Sequence, residues 1–219
     1  MTEKRDNPSD ATLLDALPPP VRALAKQGMI RRYRANTTLI EENDQGDSVF
    51  IVLSGMLRIF CADNSGREIT LALYGPGEYV GEMSLDGGPR SASVATERAS
   101  ICATVSGVTL RQHLAKQPEF AFELIQRLIR RTRLATASAR SLALLDAYGR
   151  LTRLLDSLAI EQGGNVRIVN ERLTHLAIAK RIGCSRELVS RILKDLETGG
   201  YLALNEQRFF LLKKLPLKW

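Results

Sequence analysis

Two stretches of the chain carry residues whose types and spacing could do chemistry. In GEYVGEMSLDGGPRSASV, Gly77 to Val94, Gly81 and Glu82 precede Met83, and Arg90 and Ser91 follow a glycine-rich turn. Glycines let backbone N–H groups approach a ligand closely and form an anion-binding concavity. Arg90 can neutralise a phosphate, Ser91 can add a hydroxyl donor, and Glu82 can accept from a sugar hydroxyl. A cyclic phosphate on a ribose requires those groups. A structural ion pair across the loop is equally compatible with these residues taken alone.

The second stretch is LTHLAIAKRIGCSRELVSRILKDLE. Thr174 is a good N-cap for a first helix whose inner face is expected to carry Leu176, Ala179 and Ile182. Gly183 breaks that helix, Cys184 sits in the turn, and Ser185 caps a second helix that buries Val189, Ile192, Leu193 and Leu196. Arg186, Glu187, Ser190, Arg191 and Lys194 then point away from the core. This is the helix-turn-helix layout. Arginine's forked donors fit the two acceptors of guanine in the major groove, and glutamate accepts from the amino group of cytosine. Thr174, the adjacent His175 and Ser185, with the helix N-terminal amides, are candidates for contacts that set the register on phosphates.

These groups need a scaffold, and the texture of the chain suggests one. Polar residues open the chain, with short helices expected on either side of Pro18 to Pro20. From Met29 to about Ser106, the runs TTLI, SVFIVLSG, MLRIFCA, EITLALYG, SASVAT and SICATV alternate with turn signals such as ENDQGD, DNSG, GPGE and DGGP. That spacing predicts an antiparallel roll or barrel. Pro118 to Asp146 contains no internal proline or glycine and predicts one long helix of about 40 Å. Its candidate seam is Leu124, Leu128, Arg131, Ala135, Ser138, Leu142 and Leu145, spaced as in a coiled coil, with a second copy of the helix as the simplest partner. The remainder predicts a helix RLTRLLDSLAIEQ, a Gly-Gly turn, a strand around Val166 to Val169, the two short helices, and a hairpin in YLALNEQRFFLLKK turning at Asn205 to Gln207. The expected fold class is α+β: an N-terminal antiparallel β-roll, a long dimerisation helix and a C-terminal winged helix-turn-helix. The boundaries read as 1–28 for a tail with short helices, 29–117 for the roll, 118–146 for the long helix and 147–219 for the winged helix-turn-helix.

Charge supports the division. Residues 1–146 hold 18 Lys and Arg against 17 Asp and Glu, whereas residues 147–219 hold 13 against 7. The basic last third points to a polyanion partner. No apolar run is long enough to span a membrane and the N-terminus has no secretory pattern, so a cytoplasmic protein is expected. Cys61, Cys102 and Cys184 lack metal or redox spacing and read as free thiols. Glu82 with Asp86 is a conceivable carboxylate pair, but nothing else supplies a nucleophile or metal cluster, so no enzyme is expected. His113, in QHLAKQPEF, reads as a capping or solvated residue.

These motifs together resemble the Crp/Fnr family of bacterial transcription regulators, and its cAMP receptor protein (catabolite activator protein) branch in particular, from about Met29 to the C-terminus. GCSRELVSRILKDLE is similar to the family's recognition helix and GEMSLDGGPRSASV to the phosphate-binding cassette of cyclic-nucleotide domains. The resemblance implies a homodimer through residues 118–146, with a cyclic nucleotide, cAMP first, in each roll (the cyclic-nucleotide-binding jelly roll). It implies DNA read by Arg186, Glu187 and Arg191 at a palindrome of TGTGA-like half-sites about 34 Å apart, and RNA polymerase as a further partner. Gly81, Glu82, Arg90 and Ser91 match the cassette residues. Two departures bear on the effector. The loop from Glu82 to Arg90 is one residue shorter than the usual cassette, and Ala135 and Thr136 stand where cAMP-responsive members place a threonine and a serine against the purine. A site that lacks one hydroxyl reads adenine less strongly. Cyclic di-GMP-responsive or effector-independent regulators of the same family, or a nucleotide-binding module acting through protein partners, are the alternatives. The iron-sulfur branch is disfavoured by the missing cysteine cluster, and haem and metal have no support.

Overall fold

Gly55 bends a strand instead of ending one. Val49–Ala62 and Ser93–Val105 are each a single strand, so the four short runs expected there merge into two. Gly55 takes φ +94, and the register between the two strands slips around it. This is a β-bulge, in which an extra left-handed residue bends the strand and increases its twist. A Cβ at position 55 would come within 2.2 Å of Ser100 Oγ, so only glycine fits.

The computed structural model describes residues 9–162, 166–205 and 208–216. The first eight residues, the Gly163-Gly164 turn and the hairpin residues Glu206 and Gln207 lie outside the described residues. Two compact units divide the chain, one of residues 1–61 and 70–130, the other of residues 62–69 and 131–219.

The first unit begins with α1 (Asp10–Asp15) and α2 (Pro19–Ala25). Two prolines occupy the first positions of α2, where a missing N–H costs nothing. Strands β1 (Met29–Tyr33), β2 (Thr38–Ile40), β3 (Val49–Ala62), β4 (Glu68–Tyr74), β5 (Tyr79–Val80) and β6 (Ser93–Val105) follow, with a 3-10 helix over Glu82–Asp86. They form one sheet ordered β1-β6-β3-β4, with β2 on β6 and β5 on β3. The pairs β1–β6, β2–β6, β3–β6 and β3–β5 are antiparallel. Helix α3 (Gly107–Lys116) and the start of α4 (Pro118–Leu144), which continues into the second unit, complete the succession. Leu24, Ile51, Tyr79, Leu110 and Phe120 share one buried core.

Two expectations are corrected here. His113 is not solvated: it is 4% exposed, its ring lies edge-on to Phe120 with centroids 5.0 Å apart, and Gln27 Nε2 lies 2.9 Å from its Nδ1. In the last turn of α3 it falls on the face that Leu110 also occupies, so periodicity buries it. The expected seam of α4 also loses its first member. Leu124 is buried in the roll core with Phe120, and the apolar residues left exposed on the first turns are Phe122, Ile125, Leu128 and Ile129. Positions 120, 124 and 127 form the stripe that faces the roll, which takes Leu124 from the expected seam.

The second unit contains α5 (Ala147–Leu158), β7 (Ala159–Glu161), β8 (Arg167–Val169), α6 (His175–Ile182), α7 (Arg186–Thr198), β9 (Leu202–Asn205) and β10 (Arg208–Leu211). The strands make an antiparallel sheet ordered β7-β8-β10-β9. Strand β7 was expected to be helix. It leaves α5 because Ala159 turns extended and pairs with Val169; three residues, two of them apolar, are too few for periodicity to assign. Leu151, Ile178, Val189, Leu196 and Phe209 are among the buried residues that the helices and wing share. The class is α+β, as expected. No described helix is long and apolar enough to cross a membrane.

Candidate functional site

The turn after β5 is built around Arg90. Its side chain is buried and donates from Nη1 to the Gly81 carbonyl and Ser84 Oγ, both at 3.0 Å, and from Nη2 to the Ser48 carbonyl at 2.8 Å. Its backbone is clasped by the 41–48 loop, through Asn43 N to Arg90 O at 2.8 Å and Arg90 N to Asp44 O at 2.9 Å. Burial pulls the guanidinium below its ordinary range, and the carboxylates of Asp47 and Glu82 offset part of that. Its Nε–H has no acceptor among the described residues. Gly46 lies beside that edge: a Cβ there would stand 3.2 Å from Nη2 and 3.5 Å from Nε.

Gly81 takes φ +95, and a Cβ on it would lie 2.5 Å from the Ser48 carbonyl. It starts the 3-10 helix that buries Glu82 and Ser84. Met83 is 59% exposed, with Ser91 Oγ 3.3 Å from its sulfur at the rim. Gly81, Glu82, Met83, Arg90 and Ser91 are thus gathered in one turn, with an acid and a base inside and adaptable groups at the mouth. Ala135 and Thr136 lie on exposed turns of α4, in the second unit. Thr136 Oγ1 donates to Thr132 O at 3.0 Å, so its hydroxyl hydrogen is taken up by its own helix.

Sequence reading missed the Ser48 carbonyl and Ser84. The first is a backbone group in an irregular loop, which side-chain patterns do not reveal. Ser84 stands two residues after Glu82, inside the motif already singled out, and its type was the available signal.

In the second unit, Thr174 caps α6 by accepting from Ala177 N, and Ser185 caps α7 by accepting from Leu188 N. Gly183 closes α6 at φ 64, and Cys184 N reaches back to Ala179 O at 3.1 Å. The buried stripe of α7 is Val189, Ile192, Leu193 and Leu196, while Arg186, Glu187, Arg191 and Lys194 are exposed. His175 and Ser190 are half-buried and joined, Nδ1 to Oγ, at 2.8 Å. On α6 the inner face is Ile178, Ala179 and Ile182. Leu176, expected inside, is exposed because the 3,4 spacing that faces the core starts at Ile178.

Arg150 locks this turn from α5, donating Nε to Ile182 O and Nη1 to Leu145 O, both at 2.7 Å. Beside it, burial pushes the Cys184 thiol up while Arg150 pulls it partly back. Glu171 holds Arg181 by two bonds of 2.8 and 2.5 Å, and Glu68 holds Lys180 at 2.6 Å. Those basic residues of α6 are occupied, whereas the arginines of α7 stand in solvent.

A roll with an arginine-centred cradle, followed by a winged helix-turn-helix whose second helix exposes arginines at its start, defines a ligand-binding transcription regulator. Residues 30–117 match the cyclic nucleotide-binding domain and residues 149–216 the Crp-like helix-turn-helix domain. The CRP-like cAMP-activated global transcriptional regulator of Mycobacterium tuberculosis is 32% identical over 192 residues, covering 85% of each chain. The cAMP-activated global transcriptional regulator CRP of Salmonella typhimurium is 30% identical over 172 residues, covering 77% of this chain and 82% of its own. Among solved structures, the c-di-GMP responsive global regulator CLP of Xanthomonas campestris superposes with a TM-score of 0.77 at 27% identity, over 88% of this chain and 97% of its own. The chain belongs to the Crp/Fnr family of transcription regulators.

Proposed function

We propose that a cyclic nucleotide, cAMP first, binds the turn formed by Gly81, Glu82, Met83, Arg90 and Ser91 and controls sequence-specific DNA binding by the second unit. The observation that carries the effector reading is Arg90: a buried cation whose Nε–H is left for an anion, beside a glycine that keeps its edge clear. The place of Ala135 and Thr136 in the ligand set rests on the family resemblance alone. Cyclic di-GMP is the second reading, supported by the likeness to a regulator described as responsive to it.

Arg186, Glu187 and Arg191 read bases at a palindrome of TGTGA-like half-sites. Thr174, His175, Ser185, Ser190 and Lys194 set the register on the backbone. The exposed apolar residues Phe122, Ile125, Leu128 and Ile129 support a homodimer through residues 118–146. The proposed division is 1–28, 29–117, 118–146 and 147–219, the protein acts on DNA in the cytoplasm, and RNA polymerase is its further partner. A ligand shifts such an equilibrium only as far as it prefers the DNA-competent state.

Calorimetric titration of the purified protein with cAMP, cGMP and cyclic di-GMP, repeated with Arg90→Ala, tests the effector. Saturable binding of one nucleotide, lost in the variant, supports the reading. No binding of any of them contradicts it.

A further inference from the structure

Arg127 is a buried arginine of α4 that the ligand cradle does not include. Its guanidinium donates from Nη1 to the Gly77 carbonyl at 3.1 Å and pairs with Glu78 at 2.8 Å. It also pairs with Glu123, one turn back on the same helix, from Nε at 2.8 Å and Nη2 at 2.5 Å. The charge stacks on the Tyr79 ring, 4.5 Å from its centroid, and the Tyr79 hydroxyl donates to Glu123 Oε2 at 3.3 Å. One side chain of α4 thus grips three consecutive residues, Gly77, Glu78 and Tyr79. Burial is the largest influence on this guanidinium and pulls it down, but Glu123, Glu78 and Tyr79 together outweigh it and hold it above its ordinary range.

Those three residues lead directly into the cradle. Strand β5 pairs with β3 at Val80 with Phe50 and Tyr79 with Ile51, and Val52 continues the contact, accepting from Gly77 N and donating to Glu78 O, both at 2.9 Å. Gly81 follows β5 directly, and its carbonyl accepts from Arg90 at 3.0 Å and from Ser84 Oγ at 2.9 Å. Two arginines therefore hold opposite ends of the Gly77 to Gly81 segment, one fixed to α4 and the other in the cradle. A lysine at 127 could not make the same set, because only a planar fork serves a carbonyl and two carboxylates while stacking on a ring. An anion that draws Arg90 away from the Gly81 carbonyl loosens one end of a segment whose other end is fastened to α4.

We infer that Arg127 is the positioning residue that couples the 81–91 turn to helix α4, so that a change at Arg90 is felt in α4 and a change at Arg127 is felt in the turn. This rests on reading that turn as the ligand cradle for its biological meaning, but its mechanical content does not depend on which ligand binds.

The test is amide hydrogen exchange of the full-length protein, comparing wild type with Arg127→Lys, Glu78→Gln and Arg90→Ala, and following peptides that cover 82–91, 118–130 and, as an internal reference, β1 and the α7 helix. Coupling predicts that Arg127→Lys and Glu78→Gln speed exchange in 82–91 by about fivefold or more, that Arg90→Ala does the same in 118–130, and that the reference peptides stay unchanged. Acceleration confined to residues 77–79 and 123–127 overturns the inference, as does a uniform acceleration of the whole roll, which marks Arg127 as merely structural. A second arm measures operator affinity with and without cAMP. If wild type responds, coupling predicts that Arg127→Lys reduces the response by about fivefold or more. If wild type responds to no nucleotide, the effector reading fails, and the exchange result still decides the role of Arg127.

Discussion

Arg90 and Arg127 grip the two ends of the Gly77 to Gly81 segment: Arg90 donates to the Gly81 carbonyl at 3.0 Å and Arg127 to the Gly77 carbonyl at 3.1 Å. Neither arginine is at a surface; both are buried among acceptors that the fold supplies. The 81–91 turn and the first turns of α4 are therefore parts of one hydrogen-bonded assembly.

Substitution at Arg90 should separate its structural bonds from the proposed contact with a nucleotide. Arg90→Ala is expected to abolish nucleotide binding and also to destabilise the roll by about 1 to 3 kcal/mol, because the Ser48 and Gly81 carbonyls lose a charged donor. Arg90→Lys should recover part of the stability and little of the binding, since a point charge cannot present a fork. Denaturant unfolding beside calorimetric titration checks both. Equal recovery of the two would contradict the assignment.

Glycines 81 and 87 both lie in the left-handed region, at φ 95 and 84, yet alanine should treat them differently. At 81 a Cβ meets the Ser48 carbonyl at 2.5 Å and Arg90 Nη1 at 2.8 Å, whereas at 87 it meets nothing within 4 Å. Gly87→Ala is expected to cost about 1 kcal/mol from backbone strain, and Gly81→Ala about 2 kcal/mol or more, with loss of the cradle. Thermal unfolding of the two variants would show equal shifts if the close approach at 81 were unimportant.

The roll should weaken in acid through His113. Burial holds its imidazole below the ordinary histidine range, partly offset by the Pro20 carbonyl. The unfolded chain, with a value of about 6.5, therefore takes up this proton before the folded one does. The contribution is fully present above about pH 6.5 and is lost as pH falls from there through the lower folded value. Unfolding free energies of wild type and His113→Gln should accordingly draw together as pH falls from about 7 to about 5, a range that spans the unfolded midpoint of about 6.5. A difference independent of pH would remove His113 from this role.

On the DNA side, Arg186→Ala is expected to cost about 1 to 3 kcal/mol at a matched palindrome and to relax base preference at one position. Lys194→Ala should weaken matched and scrambled sequences alike and lower the salt slope by about one. Equal losses on both DNAs for Arg186→Ala would exclude it from base reading.

The architecture was largely legible because glycine turns, proline stops and helix caps act locally. Ser185 and Thr174 cap the helices they were expected to cap, since an N-cap needs only its own next turn. What sequence could not show depends on distant partners. Gly55 reads as a turn unless the strand beyond it is known to pair onward with β6. Ala159–Glu161 becomes strand only because β8 lies beside it. Leu124 and His113 are drawn inward by the roll. In the cradle, Arg90 was visible as a type at a spacing, but its acceptors Ser48 and Gly81 are carbonyls brought in by loop closure. Likewise the i,i+4 pair Glu123–Arg127 could be read from helix spacing, whereas Gly77, Glu78 and Tyr79 could not.

The most direct test of ligand-controlled DNA recognition is fluorescence anisotropy of a labelled palindrome with TGTGA half-sites, titrated with the protein at fixed salt, with and without saturating cAMP, cGMP or cyclic di-GMP. The account predicts that one nucleotide tightens binding by about fivefold or more, and that a scrambled duplex shows no such gain. Binding that is the same with and without every nucleotide, or that does not distinguish the palindrome from the scrambled duplex, would contradict it.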